Sequence, residues 1–590
     1  MDEAATDVQR SVEELSPNDR VWSIFVSSIA RRHNSNIPRK VANQPIPAVH
    51  LWFKLQSLAT YSKDTLAVEI QRLALFAPGS LKKELEPKLH APINRLPDDI
   101  LSDIFLLGLR DAHTDDKEFE TPQRYQGLIS LVCRRWRTVI EGTPLAWANI
   151  TVLDRQPFTT TKRFLRLSGS CLINVAVNWS VVPLDEDGIL LNAYNVDEMD
   201  YLFGLVLPEA HRWRSLSVAI EDYSLMLYAV QRLQSIAAPN LRVLWLSHHD
   251  DDEPEEVVPE MAAKYKLFQT LPGAPLLRDV TLWGVHIDWS SPIFSSNLRK
   301  LALCYHHIDI RPGPQRFFDI LSSCSETLEE FTLEHSGPVL NAEDWDPYTS
   351  SKIELPNLHT LKVAFVAAEY ARGVLGVLVA RNVKELTLDF EDWENEAEWN
   401  TLIRQLCTGG ITSKEPMFPA LTSLSLLSLP AEPVHLGTLL YYHPKIASLT
   451  INFNYVQTDL IDTLGIPIPK ILVPPGLLPE WATVLHSQVA QYRDKPITEE
   501  QMADESVRCK IWVCPELRKL TVYGIGGEPL RLLVAGRKGG GVPLKEIWYA
   551  DTCTLKMSDR AWLKANLEVF EEFEDEDDEE LDEDDDDEDD

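Results

Sequence analysis

The chain has 590 residues, 44% hydrophobic and 25% charged, with a net charge of −34 of which 18 acidic side chains lie in 571–590, leaving about −16 on the rest. That composition supports a folded core through most of the length, and an acidic body disfavours direct binding to a nucleic-acid backbone, which needs clustered Lys and Arg. The acidic N-terminus MDEAATDVQR is not followed by a secretory h-region, and the most apolar internal stretch, 374–380, falls far short of the roughly 20 residues that cross a bilayer.

Residues 1–90 hold helical pieces such as 65–76, where Leu66, Ile70 and Leu73 recur at i, i+4 and i+7; a packing or connecting segment, helical or partly disordered, is expected. From Asn94 the text changes to INRLPDDILSDIFLLGL, then a polar stretch, then LISLVCRRWRTVI. The first piece reads as a helix: Pro97 suits an early helical position, and Asp98 and Asp99 complement the positive end of the dipole. Ile100, Leu101, Ile104 and Phe105 form an apolar stripe on it. The second piece reads as one helix with Leu128, Leu131, Val132, Trp136 and Val139 on one side and Arg134, Arg135 and Arg137 on the other. Two helices of this length cannot bury so many large side chains between themselves, so a partner or the following domain must cover the remainder.

These residues resemble the F-box family, whose pattern is carried here by Leu96, Pro97, Asp99, Ile100, Leu101, Ile104 and Phe105, then Leu128, Leu131, Val132, Cys133 and Trp136. The likeness covers about 45 residues, 91–150 being the expected module. The segment 110–127 looks longer and more acidic than a typical F-box loop, and EGTPLAWANITV resembles the continuation in which a Trp, here Trp147, seals the box. The resemblance implies that Leu96, Pro97, Ile100, Leu101, Ile104, Phe105, Leu128, Leu131, Val132 and Trp136 insert into Skp1, and through it join a cullin-RING ligase.

Beyond the box the spacing L-x-x-L-x-L recurs. It reads Leu241-Leu244-Leu246, Leu277-Val280-Leu282, Leu298-Leu301-Leu303, Leu328-Phe331-Leu333 and Leu358-Leu361-Val363. It continues as Val383-Leu386-Leu388, Leu421-Leu424-Leu426, Ile446-Leu449-Ile451, Leu517-Leu520-Val522 and Leu544-Ile547-Tyr549, with Trp213-Leu216-Val218 a degenerate earlier copy. Several copies follow Pro-x-Leu or Asn-Leu, as in APNLRVLWL and LPNLHTLKV. Each hexad predicts a short strand, with helices between at 255–271, 315–323, 367–380 and 398–407. The expected fold is therefore α/β: a helical F-box, then an irregular leucine-rich-repeat solenoid over 151–565 with an insertion at about 454–510, then a disordered acidic tail from 566 to 590. The asparagine-ladder position of tidy repeats is absent.

The residue between the last two apolar positions of each hexad should face the concave side: Trp245, Thr281, Ala302, Thr332, Lys362, Thr387, Ser425, Thr450, Thr521 and Trp548. Large aromatics make the best anchors for a protein substrate, which singles out Trp245, Trp283 and Trp548. The segment 536–541 lacks the order of a phosphate-binding loop, and His248, His249, Asp250 and Asp251, like His306 and His307, are better read as surface loops than as metal ligands. No hydrolase, zinc-protease or kinase motif is present, so neither an enzyme nor a cofactor is expected. The eight scattered cysteines suit reduced thiols and hence cytosol or nucleus. The functional expectation is a substrate-recognition adaptor of an SCF-type ubiquitin ligase; the alternative is a nuclear, histone-binding leucine-rich scaffold using its acidic tail.

Overall fold

The computed structural model describes residues 93, 96–111, 122–179, 194–248, 264–340, 345, 352–390, 396–408, 415–428, 433–454, 456, 458, 460–465, 468–469 and 510–574. The expected helix at 65–76, residues 255–263 of the expected helix at 255–271, most of the insertion and the tail beyond 574 lie outside them. The chain divides into two compact units, Met1–Ile100 and Leu101–Asp590.

The second unit is a mixed α/β, solenoid-like fold built on one sheet of fourteen strands whose spatial order is their chain order. They are β1 (Asn149–Val152), β2 (Ile173–Trp179), β3 (Trp213–Ile220), β4 (Val243–His248), β5 (Asp279–Trp283), β6 (Lys300–Cys304) and β7 (Glu330–Glu334). Then come β8 (Thr360–Ala364), β9 (Glu385–Asp389), β10 (Ser423–Leu426), β11 (Ser448–Asn452), β12 (Lys519–Tyr523), β13 (Glu546–Ala550) and β14 (Val569–Phe573). Every neighbouring pair is parallel, which requires a crossover between each strand and the next.

Thirteen helices are described: α1 (Asp98–Asp111), α2 (Pro122–Val132), α3 (Arg134–Glu141), α4 (Thr159–Leu167), α5 (Val196–Val206), α6 (Tyr223–Leu233) and α7 (Pro314–Ser323). The others are α8 (Ala368–Val377), α9 (Glu396–Thr408), α10 (Pro433–Tyr442), α11 (Leu460–Gly465), α12 (Gly527–Gly539) and α13 (Met557–Asn566). From α8 to α13 successive helices pack on one another. Residues 264–271, expected to end a helix, instead form turns.

The core follows from the hexads. All thirty of their apolar residues are at most 4% exposed, as are Trp213, Leu216 and Val218 of the degenerate copy. Each is in register with its counterpart on the next strand, so Leu246, Leu282, Leu303, Leu333, Val363 and Leu388 form one continuous buried row. A fully buried leucine contributes about 1.5–3 kcal/mol, and no single repeat could bury these side chains without its neighbours.

A polar ladder ties several repeats together, just before the hexads rather than three residues after them. At several hexads the residue just before donates to the carbonyl two residues ahead of the previous hexad. Asn240 Nδ2 reaches His211 O at 2.7 Å, Asn297 reaches Pro275 O at 3.3 Å, Asn357 reaches Glu326 O at 2.8 Å and Asn382 reaches Pro356 O at 2.7 Å. Thr327 does the same with its hydroxyl, at 3.0 Å from Ser296 O.

The sheet extends past the hexads at both ends. β1 and β2 carry Ile150, Val152, Val175 and Val177 inward without a leucine hexad. At the other end β14 occupies 569–573, inside the stretch expected to be disordered from 566: its backbone pairs with β13, and Glu572 accepts from Arg560 at 2.9 and 3.0 Å. Pairing one more strand on an existing edge satisfies the backbone and outweighs the repulsion of a few exposed carboxylates.

Candidate docking surfaces

The helical module begins, in the first unit, with Leu96 half-buried, Pro97 exposed and Ile100 42% exposed; Asp99 Oδ1 accepts from the Ile100 amide at 2.9 Å. In the second unit the stripe read from α1 separates into two faces. Leu101, Phe105 and Leu109, at i, i+4 and i+8, are buried, whereas Ile104 and Leu107 point outward at 40% and 57% exposure. Phe105 therefore packs internally, with its ring 5.1 Å from the half-buried ring of Trp136. Tyr125 lies against Gly108, where a Cβ would overlap its ring, so α1 also meets α2.

The expected second helix is two helices. Cys133 adopts extended backbone between α2 and α3 and caps the latter, its Sγ accepting from the Trp136 amide at 3.4 Å. The break separates Leu128, Leu131 and Val132, which are 51%, 59% and 36% exposed, from Val139 and Ile140, which are buried. The module is closed on the turn at 144–147 by polar bonds: Gln126 Nε2 donates to Ala146 O and Trp147 Nε1 to Ile140 O, at 2.9 and 2.8 Å, while Trp147 itself is buried against Phe164.

On the sheet, the row expected to face the concave side is in register throughout: Trp245, Thr281, Ala302, Thr332, Lys362, Thr387, Ser425, Thr450, Thr521 and Trp548 are successive partners. Trp245 and Trp283 sit half-buried on the adjacent strands β4 and β5, whereas half-buried Trp548 stands far along the sheet on β13 with Lys519 Nζ 5.2 Å from its ring centre. The three tryptophans thus do not form one site.

Trp283 instead joins aromatics that sequence reasoning did not single out. Its ring stacks on Tyr305 at 4.7 Å, and Tyr305 lies 5.9 Å from His335 and 5.8 Å from Phe365. Tyr305, His335 and Phe365 each directly follow a strand, and each has a positive φ, of 53°, 40° and 51°. Glycine fills the same turn after β5 and β12, as Gly284 and Gly524. In each of the three aromatic turns the amide bonds the next strand's last carbonyl, as from Tyr305 to Glu334 O at 2.9 Å, before the chain turns sharply off the sheet. The signal available in the sequence was the register of these residues with the two glycines.

Beneath this row lie buried imidazoles. Tyr223 Oη and His286 Nδ1 are 2.7 Å apart, and His306 Nδ1 is 2.8 Å from Ser336 Oγ. Burial, with help from neighbouring His248 and His286 respectively, pulls His286 and His306 from 6.5 down to about 3, so both are neutral at physiological pH. Among the described residues no group of three or more His, Cys, Asp or Glu side chains could hold a metal ion, and no helix is long and apolar enough to cross a membrane. The seven described cysteines are all free.

No protein-family model matches the chain, and no curated protein matches it. Among solved structures it is similar to one titled "Crystal structure of Rad7 and Elc1 complex in yeast", at 12% identity over 87% of this chain and 98% of that chain, with a TM-score of 0.29. A TM-score that low carries no conclusion about fold or partners.

Proposed function

We propose that this chain is a non-catalytic substrate-recognition adaptor of an SCF-type ubiquitin ligase, an F-box followed by irregular leucine-rich repeats. The supporting observation is that α1 and α2, whose inner residues are fully packed, present Ile104, Leu107, Leu128, Leu131 and Val132 to solvent. Five such residues on two adjoining helices exceed what an isolated surface needs. Covering their exposed halves would contribute roughly 5 kcal/mol before the cost of association. Skp1 is the partner for that face, and the repeat array holds a protein substrate beside the ubiquitin-loaded enzyme, so that rate enhancement comes from proximity alone.

The test is capture of Skp1 by the full-length chain and by an Ile104→Asp, Leu131→Asp variant. Both side chains are exposed, so the variant should fold. Capture by the wild type that vanishes in the variant is the expected result; a folded wild type that captures no Skp1, or a variant that captures it equally, would sink the assignment.

A further inference from the structure

At the N-terminal rim of the sheet, the residue that follows the first hexad position is arginine in four consecutive repeats: Arg214, Arg242, Arg278 and Arg299. Their backbones form one ladder, Arg242 N to Arg214 O at 2.8 Å, Arg278 N to Arg242 O at 3.0 Å and Arg299 N to Arg278 O at 2.7 Å. The side chains are therefore spaced at the strand separation of about 4.8 Å and span about 14 Å. Arg214, Arg242 and Arg299 are exposed and Arg278 is half-buried.

The neutralisation of this row is incomplete. Arg214 Nε donates to a neutral amide, Asn174 Oδ1, at 3.1 Å; Arg242 has no ion pair among the described residues; Arg278 is 3.9 Å from Asp279; and Arg299 is 3.2 Å from Glu329. With Lys300, which pairs with Glu330 at 3.1 Å, five cations face three carboxylates. In a chain with 90 acidic and 56 basic residues, carboxylates were available to complete the pairing, and the next repeats do change to Glu329 and His359 at this position.

We propose that this rim docks an extended acidic segment of a partner protein, its Asp and Glu carboxylates received by the Arg214, Arg242, Arg278 and Arg299 guanidinium groups. The inference rests on the adaptor reading to the extent that it names the class of segment the array holds. The planar guanidinium fork matches a carboxylate bidentately. A segment of four or five extended residues covers the row at about 3.3 Å per residue. A long polyanion is disfavoured because the whole chain is strongly negative, whereas a short segment senses only the row within the Debye length of about 8 Å.

The chain's own tail is a poor occupant. It leaves the sheet after β14, eight strands beyond β6 and at the opposite rim.

The experiment is fluorescence anisotropy of the full-length chain with a fluorescein-labelled peptide of alternating Asp/Glu and Ser, its Asn/Gln counterpart, and a phosphoserine counterpart. The acidic peptide should bind at least about tenfold tighter than the amide peptide, and an Arg214→Glu, Arg242→Glu variant should lose at least about tenfold of that affinity, as expected for charged hydrogen bonds. The milder Arg242→Gln variant, read beside Skp1 capture and a thermal melt, separates lost docking from lost fold. Equal binding of acidic and amide peptides, or an unchanged arginine variant, would overturn the proposal. Binding of the phosphoserine peptide alone would overturn the carboxylate assignment, and a gain of tenfold on neutralising the tail carboxylates would assign the row to the tail. If Skp1 capture fails while acidic-peptide binding survives, the adaptor reading falls and the docking site stands.

Discussion

The positive-φ turn that follows β5, β6, β7, β8 and β12 makes opposite predictions at two equivalent positions. His335 occupies it with φ 40° and an exposed side chain, Gly284 with φ 61°. A non-glycine residue held there costs about 1–2 kcal/mol relative to right-handed backbone. His335→Gly removes that cost but adds about 0.5–1 kcal/mol of chain entropy and forfeits a ring contact with Tyr305 worth about 0.5–1 kcal/mol at a solvent-exposed site, leaving stability within about 1 kcal/mol of the wild type. In Gly284→Ala the new Cβ would lie 2.5 Å from the His248 carbonyl oxygen, so backbone must shift as well as adopt a disfavoured φ. The cost should be about 3 kcal/mol or more. Urea unfolding followed by tryptophan fluorescence reads both. A loss above about 2 kcal/mol in His335→Gly, or below about 1 kcal/mol in Gly284→Ala, would show that the positive φ is not what distinguishes these turns.

Three further expectations follow from polar groups that hold backbone in place or lie buried. Arg537, fully buried, donates to Leu464 O, Val513 O and Cys514 O at 3.0, 3.2 and 2.7 Å and so joins the two ends of the 466–512 segment; Arg537→Leu should cost about 3 kcal/mol in urea unfolding, since three carbonyls lose their donor. Asn357→Ala should cost about 1 kcal/mol by removing one rung of the inter-repeat ladder, and an unchanged unfolding midpoint would show the rung to be idle. His286 and His306 have folded values near 3 against 6.5 unfolded, so their contribution is complete above 6.5 and is lost as pH falls toward 3. The slope should be about 1.4 kcal/mol per histidine per pH unit between pH 6 and 5, where most carboxylates remain ionised, and His306→Gln should lower it by one histidine's share; equal slopes would refute the burial of a neutral imidazole.

How far the fold could be read from sequence depended on which residues face the core. The hexads predicted ten strands because apolar side chains at fixed spacing bury against each other in register, and Trp213 marked an eleventh. β1 and β2 show no hexad because they bury alternate residues without that spacing, and β14 because none of its residues is fully buried. The inter-repeat ladder is legible as Asn-Leu and Pro-Asn-Leu ahead of the hexad, whereas the asparagine of tidy repeats lies after it. The helix break at Cys133 carried no proline or glycine; a thiol accepting from Trp136 is a weak cap that propensity alone does not reveal.

The docking faces were partly legible for the same reason. A helical stripe two positions wide predicts that Leu101 and Phe105 lie near Ile104, but not which of them meets the rest of the chain; that is decided by Trp136 and Tyr125, contributed from later helices. Once those contacts fill the inner face, the outward residues, Ile104 and Leu107 with Leu128, Leu131 and Val132, are the ones a partner can cover directly, while Leu101 and Phe105 act by holding the helices together. Substitution at the two groups should therefore separate: Ile104→Asp weakens partner capture with the unfolding midpoint nearly unchanged, whereas Phe105→Ala costs about 3–5 kcal/mol of stability and lowers capture only by unfolding the module. Equal stability losses in the two variants would mean that Ile104 is packed as deeply as Phe105, and the outward face would no longer be a docking surface.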